Sequence, residues 1–232
     1  GNQTTQTQAL TIDTENPTVG VSTTTVNGAY SVGQVIPLTL TFSEAVTLSS
    51  GALKVTLSTG DVLTVSSLVD ASSVTVSYTV SSGDTSSDLT VSSVALEGTG
   101  AKLLDAAGND ADLSTLTASI GDSKNIVIDT TGPSLELSPL SDSILTESEA
   151  ASFSQGFTVD DAVTDVESTV AVVKAGGAVV GSVSLTTSGG VVSGDLSVLA
   201  DGDYTIEVTS TDSVGNQTTQ TQALTIDTEN PT

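Results

Sequence analysis

The chain has 232 residues, 37% of them hydrophobic, and it carries 28 acidic residues against four lysines, for a formal net charge of −24. Because charged residues make up only 14% of the chain, it does not have the composition of a disordered polyelectrolyte, and its negative charge disfavours nucleic acid and anionic membranes as partners. Histidine and cysteine are absent, which excludes Ser-His and Cys-His nucleophile pairs and disulfides, so we expect a binding or structural module and not an enzyme.

The chain begins with a sequence that it repeats at its end. Residues 1–18, GNQTTQTQALTIDTENPT, are identical to residues 215–232, an offset of 214 residues. An identity of this length indicates a longer repeat. Residues 1–12 therefore match the final strand of a preceding repeat. Because that strand lacks its own sheet here, we expect it to be frayed unless it self-associates with an open edge of another chain.

A shorter motif divides the 214-residue period. Ile-Asp-Thr, two further residues and Pro occur at residues 12–17, at 128–133 and again at 226–231. Proline is typical of strand edges and strand starts, so we interpret these motifs as short linkers. The predicted organisation is a domain over 13–128, a second domain over 129–226, and a linker to the next repeat over 227–232.

Alternation of apolar and polar residues predicts strands in both domains. In the first they cover 36–42, 52–58, 61–68, 73–80 and 89–96. In the second they cover 134–138, 152–159, 169–175, 181–187, 194–199, 203–210 and 221–227. Roughly seven short strands per ~100 residues are typical of an immunoglobulin-like sandwich. The predicted fold is all-β, with two tandem immunoglobulin-like β-sandwich domains in an extended rod. Residues 101–108 and 145–151 are each predicted to form a helical turn, and Tyr204 a tyrosine corner.

Acidic residues concentrate in loops that this fold would bring to one pole of each domain. The pattern Asp-x-x-Gly-Asn occurs before the last strand of each domain, with Asp105 and Asn109 in the first and Asp212 and Asn216 in the second. The loop between the second and third strands lies at the same pole. It supplies Glu44 in the first domain and, in the second, a group of acidic residues: Asp160, Asp161, Asp165 and Glu167. The linkers add Asp13 and Asp129.

Crowded carboxylates are stabilised by a cation, and oxygen ligands without His or Cys favour Ca²⁺ over zinc or copper. The sequence therefore predicts calcium sites at these poles. The alternative is that the loops are ordinary turns, since Asp and Asn favour turns without any metal. Among the individual acidic residues, Asp161, Glu167 and Asp110 could simply face solvent.

The first domain contains, in this order, the motifs FSEAV, LLDAAGNDA and VIDTTGP, and because of them it resembles the bacterial immunoglobulin-like repeats of giant secreted adhesins. The second domain resembles a second type of such repeat, through DGDYTIEVTSTDSVGNQ followed by LTIDTENPT. The resemblance implies a place in the extender stalk of an adhesin, one often exported by type I secretion and often ending in RTX repeats. It also implies calcium at the domain junctions. The ligands that it implies in the linkers are Asp13 and Asp129. In the loop after the second strand they are Glu44 in the first domain and Asp160 or Asp165 in the second. In the last loop they are Asp105 with Asn109 in the first domain and Asp212 with Asn216 in the second.

The function expected from the sequence is a structural extender on the bacterial cell surface, in the extracellular space. Its partners would be neighbouring repeats of the same chain, with no nucleic acid bound and no direct membrane insertion, since no apolar run approaches the ~18–20 residues of a membrane span. Two alternatives remain at this stage. One is a subunit of a self-assembling filament or layer that uses residues 1–12 for strand complementation. The other is a ligand-binding adhesin domain, which the three Tyr and three Phe residues make less favourable.

Overall fold

A computed structural model describes residues 3–229 of the chain. The chain divides into two compact units. Unit 1 comprises the residues up to 28 together with 33–80 and 86–127, and unit 2 comprises 29–32, 81–85 and the residues from 128 onward. The described residues are almost entirely strands and turns, so the predicted all-β class is confirmed. No described helix is long and apolar enough to span a bilayer.

The strands and helices follow one another in chain order. Up to residue 129 the strands are β1 Thr18–Thr23, β2 Gly28–Tyr30, β3 Val35–Leu57, β4 Val62–Val65, β5 Ala71–Thr79, β6 Thr85–Ser86, β7 Val91–Leu104, β8 Asp112–Leu116 and β9 Ile126–Asp129, with a 3-10 helix over Ile120–Asp122. After residue 129 they are β10 Ser134–Leu137, β11 Ile144–Leu145, β12 Phe153–Asp160, β13 Val166–Ala175, β14 Ala178–Val179, β15 Thr186–Ser188, β16 Val191–Gly194, β17 Gly202–Asp212 and β18 Gln217–Ile226, with helix α1 at Glu147–Ala151.

In unit 1, strand β3 organises the sheets because it pairs with four other strands. Its first half lies between β1 and β5, and its second half lies between β4 and β7. Strand β8 pairs in parallel with the outer side of β1. Alternate residues of β3, such as Ile36, Leu38 and Leu40, are fully buried. The period of two therefore places one face of the strand in the core.

Unit 2 contains two sheets that enclose one core. The first has the order β10-β12-β16-β15 and the second the order β11-β18-β17-β13-β14. Phe153 and Phe157 from the first sheet pack with Ile206, Val208 and other aliphatic residues of the second, all in one cluster of buried side chains. This is the arrangement of a β-sandwich, in which inward residues from two sheets form the core.

Two local predictions are confirmed in unit 2. Helix α1 lies within the predicted helical turn 145–151, and Thr146 is its N-cap in a capping box with Glu149. The hydroxyl of Tyr204 donates to the carbonyl oxygen of Ala200 at 3.0 Å. A bond from a tyrosine hydroxyl to the backbone a few residues upstream is the tyrosine corner.

Three predictions differ from the structure. Residues 101–104 continue strand β7 because they pair with β3, so the helical turn predicted over 101–108 is wrong. The alternation over 194–199 is not a strand either, since Asp195 accepts bonds from the amide and hydroxyl of Ser197 and closes a turn. The segment 36–58 is one strand through Leu57 instead of two, with its pairing to β7 continued across register shifts.

The residues assigned to a preceding repeat stand apart from these sheets. Residues 3–16 form no strand and their side chains are exposed, while residues 1 and 2 lie outside the described part. Leu10 and Ile12 are 84% and 80% exposed. The matching residues Leu224 and Ile226 of β18 are 2% and 1% exposed. The same sequence is therefore a buried strand in one place and unpaired in the other.

Candidate metal centres

A first cluster of carboxylates lies in unit 1, where the chain approaches strand β1. Asp13, Glu44 and Asp105 each offer one carboxylate oxygen, and these oxygens lie within 4.8 Å of one another. Asp13 belongs to residues 13–17, here called the first lead-in. Glu44 lies within β3 at an irregularity in its pairing with β5, and Asp105 directly follows β7. Such irregularities re-aim side chains, which fits the position of Glu44.

The loop after β7 holds Asp105 in place. The amides of Gly108 and Asn109 donate to its Oδ1 at 2.6 and 2.8 Å, and the side-chain amide of Asn109 donates to its Oδ2 at 2.8 Å. Gly108 has a φ of 97°, a conformation that favours glycine. Burial of Asp105 acts to raise the pKa of its carboxyl, but the bonds from Asn109 and Gly108 outweigh this effect and hold the pKa below its usual value. The carboxylate is thus kept ionised.

Glu44 has the opposite electrostatic character. Desolvation, together with the negative charges of Asp13, Asp105 and Glu15, raises the pKa of Glu44. Desolvation is the largest of these effects on the pKa of Glu44, and the three neighbouring carboxylates add to it. Glu15 is a neighbour that the sequence reasoning missed, although its place two residues after Asp13 in the same lead-in was a usable signal.

A second cluster lies in unit 2. Asp129, Asp161 and Asp212 offer carboxylate oxygens that also lie within 4.8 Å of one another. Asp129 begins residues 129–133, here called the second lead-in, and Asp212 is the last residue of β17. Both have no exposed surface, and Asp161 is half-buried. Buried carboxylates need hydrogen bonds or a cation to offset their desolvation.

The second cluster has more internal hydrogen bonds than the first. The hydroxyl of Thr164 donates to Oδ2 of Asp129 at 2.7 Å, and the amide of Thr164 donates to Oδ1 of Asp161, also at 2.7 Å. The side-chain amide of Asn216 donates to Oδ2 of Asp212 at 2.8 Å. The same amide donates to the carbonyl oxygens of Asp129 and Thr131, both at 3.2 Å. The loop after β17 thus fixes, through Asn216, both the carboxylate of Asp212 and the backbone of the second lead-in.

The structure brings together most of the acidic residues predicted as ligands. Asp13, Glu44 and Asp105 meet in the first cluster, and Asp129 and Asp212 meet in the second. Asp160 and Asp165, in contrast, are exposed and lie outside the second cluster. Asp161 takes the place between Asp129 and Asp212, although the sequence reasoning allowed that it faces solvent.

Asn109 and Asn216, predicted as metal ligands, are hydrogen-bond donors in this structure. Each directs its side-chain NH₂ group toward a pole carboxylate and toward a carbonyl oxygen of the lead-in, as in the 3.3 Å bond from Asn109 to Asp13. In these contacts the asparagines are donors and orient the carboxylates. Asp110, adjacent to the first loop, forms an ion pair with Lys102 at 2.8 Å.

The donor sets of both clusters fit a hard cation. All the convergent ligand atoms are carboxylate oxygens, and backbone carbonyls of the lead-ins lie beside them. Ca²⁺ accepts six to eight such oxygens in variable geometry, whereas Mg²⁺ demands a near-ideal octahedron. Neither cluster contains the nitrogen or sulfur ligands that zinc favours, since the chain has no His or Cys.

Unit 2 also has a groove, of about 600 Å³, between strands β12 and β13 and the β15–β16 turn. Its lining includes Phe157, Glu167, Thr187 and Gly190. Apart from Phe157 and Glu167, the lining consists of hydroxyl side chains, glycine and valine.

In a comparison with known families, residues 130–228 match the bacterial Ig-like domain. This match confirms the predicted resemblance to bacterial immunoglobulin-like repeats in the part of the chain that it covers. Comparison with curated proteins gives no match.

Solved structures that this chain is similar to include three from adhesins. A Ca²⁺-stabilised adhesin with which an Antarctic bacterium reaches out and binds ice has 20% identity and a TM-score of 0.42, over 90% of this chain and 49% of that one. A 1.5-MDa bacterial ice-binding adhesin has 15% identity and a TM-score of 0.44, over 93% and 67% of the two chains. A tetra-tandem repeat from the extending region of a large adhesion protein has 24% identity and a TM-score of 0.34, over 91% and 49%.

The chain spans about half the length of the first and third of these structures.

Proposed function

We propose that this chain, whose residues 130–228 form a bacterial Ig-like domain, is an extender module of a bacterial surface adhesin and that Ca²⁺ stiffens it. The observation that carries the proposal is that each unit places an aspartate of its lead-in within 4.8 Å of two carboxylates from the body of the unit. A cation shared by these groups would tie the lead-in to the unit. Without a cation the same carboxylates repel one another.

The calcium ligands in this proposal are carboxylates from three separate parts of the chain. In unit 1 they are Asp13, Glu44 and Asp105, and in unit 2 they are Asp129, Asp161 and Asp212. The bound ion would supply positive charge and cross-link the lead-in to the loops. The protein supplies oriented oxygens, held by Asn109 and Asn216.

The magnitude of the effect follows from linkage. Extracellular calcium modules have dissociation constants of roughly 10⁻⁴ to 10⁻³ M. A ligand at ~100 times its Kd stabilises the folded state by about 2.7 kcal/mol per site. Calcium at millimolar levels is an extracellular condition, so the proposal includes an extracellular location on the bacterial cell surface. The absence of His and Cys and the repeated sequence fit a mechanical module better than an enzyme.

Calcium titration followed by isothermal calorimetry tests the proposed ligands directly. The chain offers a matched pair of adjacent residues, since Asp161 belongs to the second cluster and Asp160 lies outside it. We expect Asp161→Asn to abolish or weaken one binding event and Asp160→Asn to leave both unchanged. Equal effects of the two substitutions would show that the cluster is not the binding site.

Small-angle X-ray scattering tests the mechanical part of the proposal. We expect the maximum dimension of the particle in millimolar CaCl₂ to shorten, or its profile to become that of a flexible chain, after chelation. A profile that chelation does not change would mean that the acidic loops are ordinary turns and that calcium has no mechanical role.

Self-assembly through residues 1–12 is a weaker candidate. Residues 3–12 have the same sequence as 217–226, but β18 already occupies the edge of β17 in unit 2. Residues 3–12 of a second copy of the chain would therefore have to displace β18, which has the same sequence and is already joined to β17 in the same chain. Chain association that increases with concentration and disappears when residues 1–12 are deleted would favour this alternative.

A further inference from the structure

The two lead-ins have the same sequence pattern but different attachments to their units. Both are Asp-Thr-x-x-Pro, and in both the amide two residues after the Asp donates to its Oδ1, at 3.1 Å for Glu15 and 3.0 Å for Thr131. This local turn is thus common to both. The two lead-ins differ in the hydrogen bonds that they make to the rest of their own units.

Hydrogen bonds from three segments attach the second lead-in to its unit, and in one of them the hydroxyl of Thr130 accepts from the amide of Gly83 and donates to the carbonyl oxygen of Asp84. Thr164 donates to the carboxylate of Asp129, and Asn216 donates to the carbonyls of Asp129 and Thr131. Gly132 also packs so closely on the start of β18 that a Cβ atom would lie 2.7 Å from the carbonyl carbon and oxygen of Gln217. The lead-in therefore has both polar and steric contacts that fix its backbone.

The first lead-in has fewer bonds and more charge. Asn109 donates to the carbonyl of Asp13 at 3.3 Å and the amide of Asp112 donates to the carbonyl of Pro17 at 2.8 Å, and no other hydrogen bond among the described residues joins this lead-in to the body of unit 1. Glu15 stands where the second lead-in has Thr131, and Asn16 stands where it has Gly132. Three carboxylates lie within 4.8 Å of one another at this pole, and the negative charge of Glu15 adds to theirs at Glu44. In the absence of a cation their repulsion opposes docking of the lead-in.

We infer that the second lead-in stays docked on unit 2 without a metal ion, whereas the first lead-in docks on unit 1 only when a divalent cation is bound. The second half of this inference rests on the proposed role of calcium. Residues 227–229 repeat Asp13-Thr14-Glu15, so lead-ins of the two kinds alternate along a chain with a 214-residue period. Such an array would have one calcium-dependent hinge per period and one permanently fixed attachment.

Backbone ¹⁵N relaxation of the whole chain, in millimolar CaCl₂ and after chelation, tests the inference at each lead-in separately. In calcium we expect order parameters near 0.85 at residues 14–16 and 130–132, the value of rigid backbone. After chelation we expect those of 14–16 to fall below about 0.6, and those of 130–132 to stay high. If both lead-ins lose order, or if neither does, the inference is overturned.

A pair of substitutions at one position checks the cause. Thr164→Val removes the hydroxyl that donates to Asp129 and preserves the shape of the side chain, while Thr164→Ser keeps a hydroxyl. In chelator we expect residues 130–132 to lose order in Thr164→Val, to regain it when calcium is added, and to remain ordered in Thr164→Ser. Unchanged order in Thr164→Val would overturn the assigned role of this bond.

The same measurements separate this inference from the proposed function. If calcium fails to order residues 14–16, calcium docking is wrong, while order at 130–132 in chelator still supports metal-independent docking of the second lead-in. If calcium binds and orders both lead-ins but chelation releases both, calcium stiffening stands and the difference between the lead-ins is wrong.

Discussion

Replacement of Asn216 by alanine should destabilise unit 2 even when no calcium is present. The side-chain amide of Asn216 makes three bonds, to Asp212, Asp129 and Thr131. A bond to a neutral carbonyl contributes about 1 kcal/mol and one to a carboxylate about 2 kcal/mol. Since Asn216 is only half-buried, water can replace part of what is lost, and we expect Asn216→Ala to cost about 2 kcal/mol of unfolding free energy.

Thermal unfolding in chelator, followed by calorimetry, measures this loss. For a unit of ~100 residues, 2 kcal/mol corresponds to a lowering of Tm by roughly 8–16 °C. The adjacent Gln217 provides the control, because its side-chain amide makes one exposed bond, to the hydroxyl of Thr211 at 3.2 Å. We expect Gln217→Ala to change the stability by less than about 0.5 kcal/mol.

The comparison has a clear negative outcome. If Asn216→Ala lowers the Tm of unit 2 no more than Gln217→Ala does, the three bonds contribute nothing, and the reasoning that the last loop fixes the second lead-in is refuted. A second comparison is Asn109→Ala, whose side chain makes bonds to Asp105 and to Asp13. It should affect the transition of unit 1 and leave that of unit 2 in place.

Three further results are expected. Ile206→Ala, at a position with no exposed surface, should cost about 2–5 kcal/mol in urea unfolding, whereas Val170→Ala, at a site 57% exposed, should cost less than about 0.5. Gly132→Ala should cost about 1–3 kcal/mol because backbone blocks the added Cβ, while Gly181→Ala meets open space and should be near neutral in the same assay. Bonds at the N-cap of α1 hold the pKa of Glu149 below 4.5, so its contribution to stability is present above pH 4.5 and is lost as the pH falls through the lowered value. Glu149→Gln should flatten the pH dependence of unfolding in that range, and an unchanged slope would contradict this.

The strands of both units were predictable where apolar and polar residues alternate along a segment that pairs with a neighbouring strand over many residues. Strands β5, β12 and β17 each lie on predicted segments, because one face of each packs on the core. The alternation over 194–199 gave a wrong prediction of a strand. Leu196 and Leu199 are both buried, and their spacing of three residues suits a turn and not a strand. The real strand there, β16, follows the turn at Gly189-Gly190, a signal that the sequence did contain.

The candidate metal centres were predictable to the level of the loop. The repeated Asp-x-x-Gly-Asn pattern identified Asp105 and Asp212, because glycine permits the turn and both asparagines hold the aspartate. The choice between Asp160 and Asp161 was not predictable. Asp160 ends β12 with its side chain exposed, while amides of the following turn hold the carboxylate of Asp161. Which of two adjacent aspartates turns inward depends on where the strand ends, and composition alone does not fix that residue.

Residues 3–12 and 217–226 show the limit of local pattern most directly, because their sequences are identical. In β18 the alternation buries Leu224 and Ile226 against the core while the backbone pairs with β17. In the unpaired copy Leu10 and Ile12 have the same neighbours in sequence and remain exposed. Full burial of each such side chain is worth about 1.5–3 kcal/mol, which offsets the entropy of ordering only when a sheet is there to receive it. The pattern thus states which face of a strand can be buried, and the partner strand decides whether the strand forms.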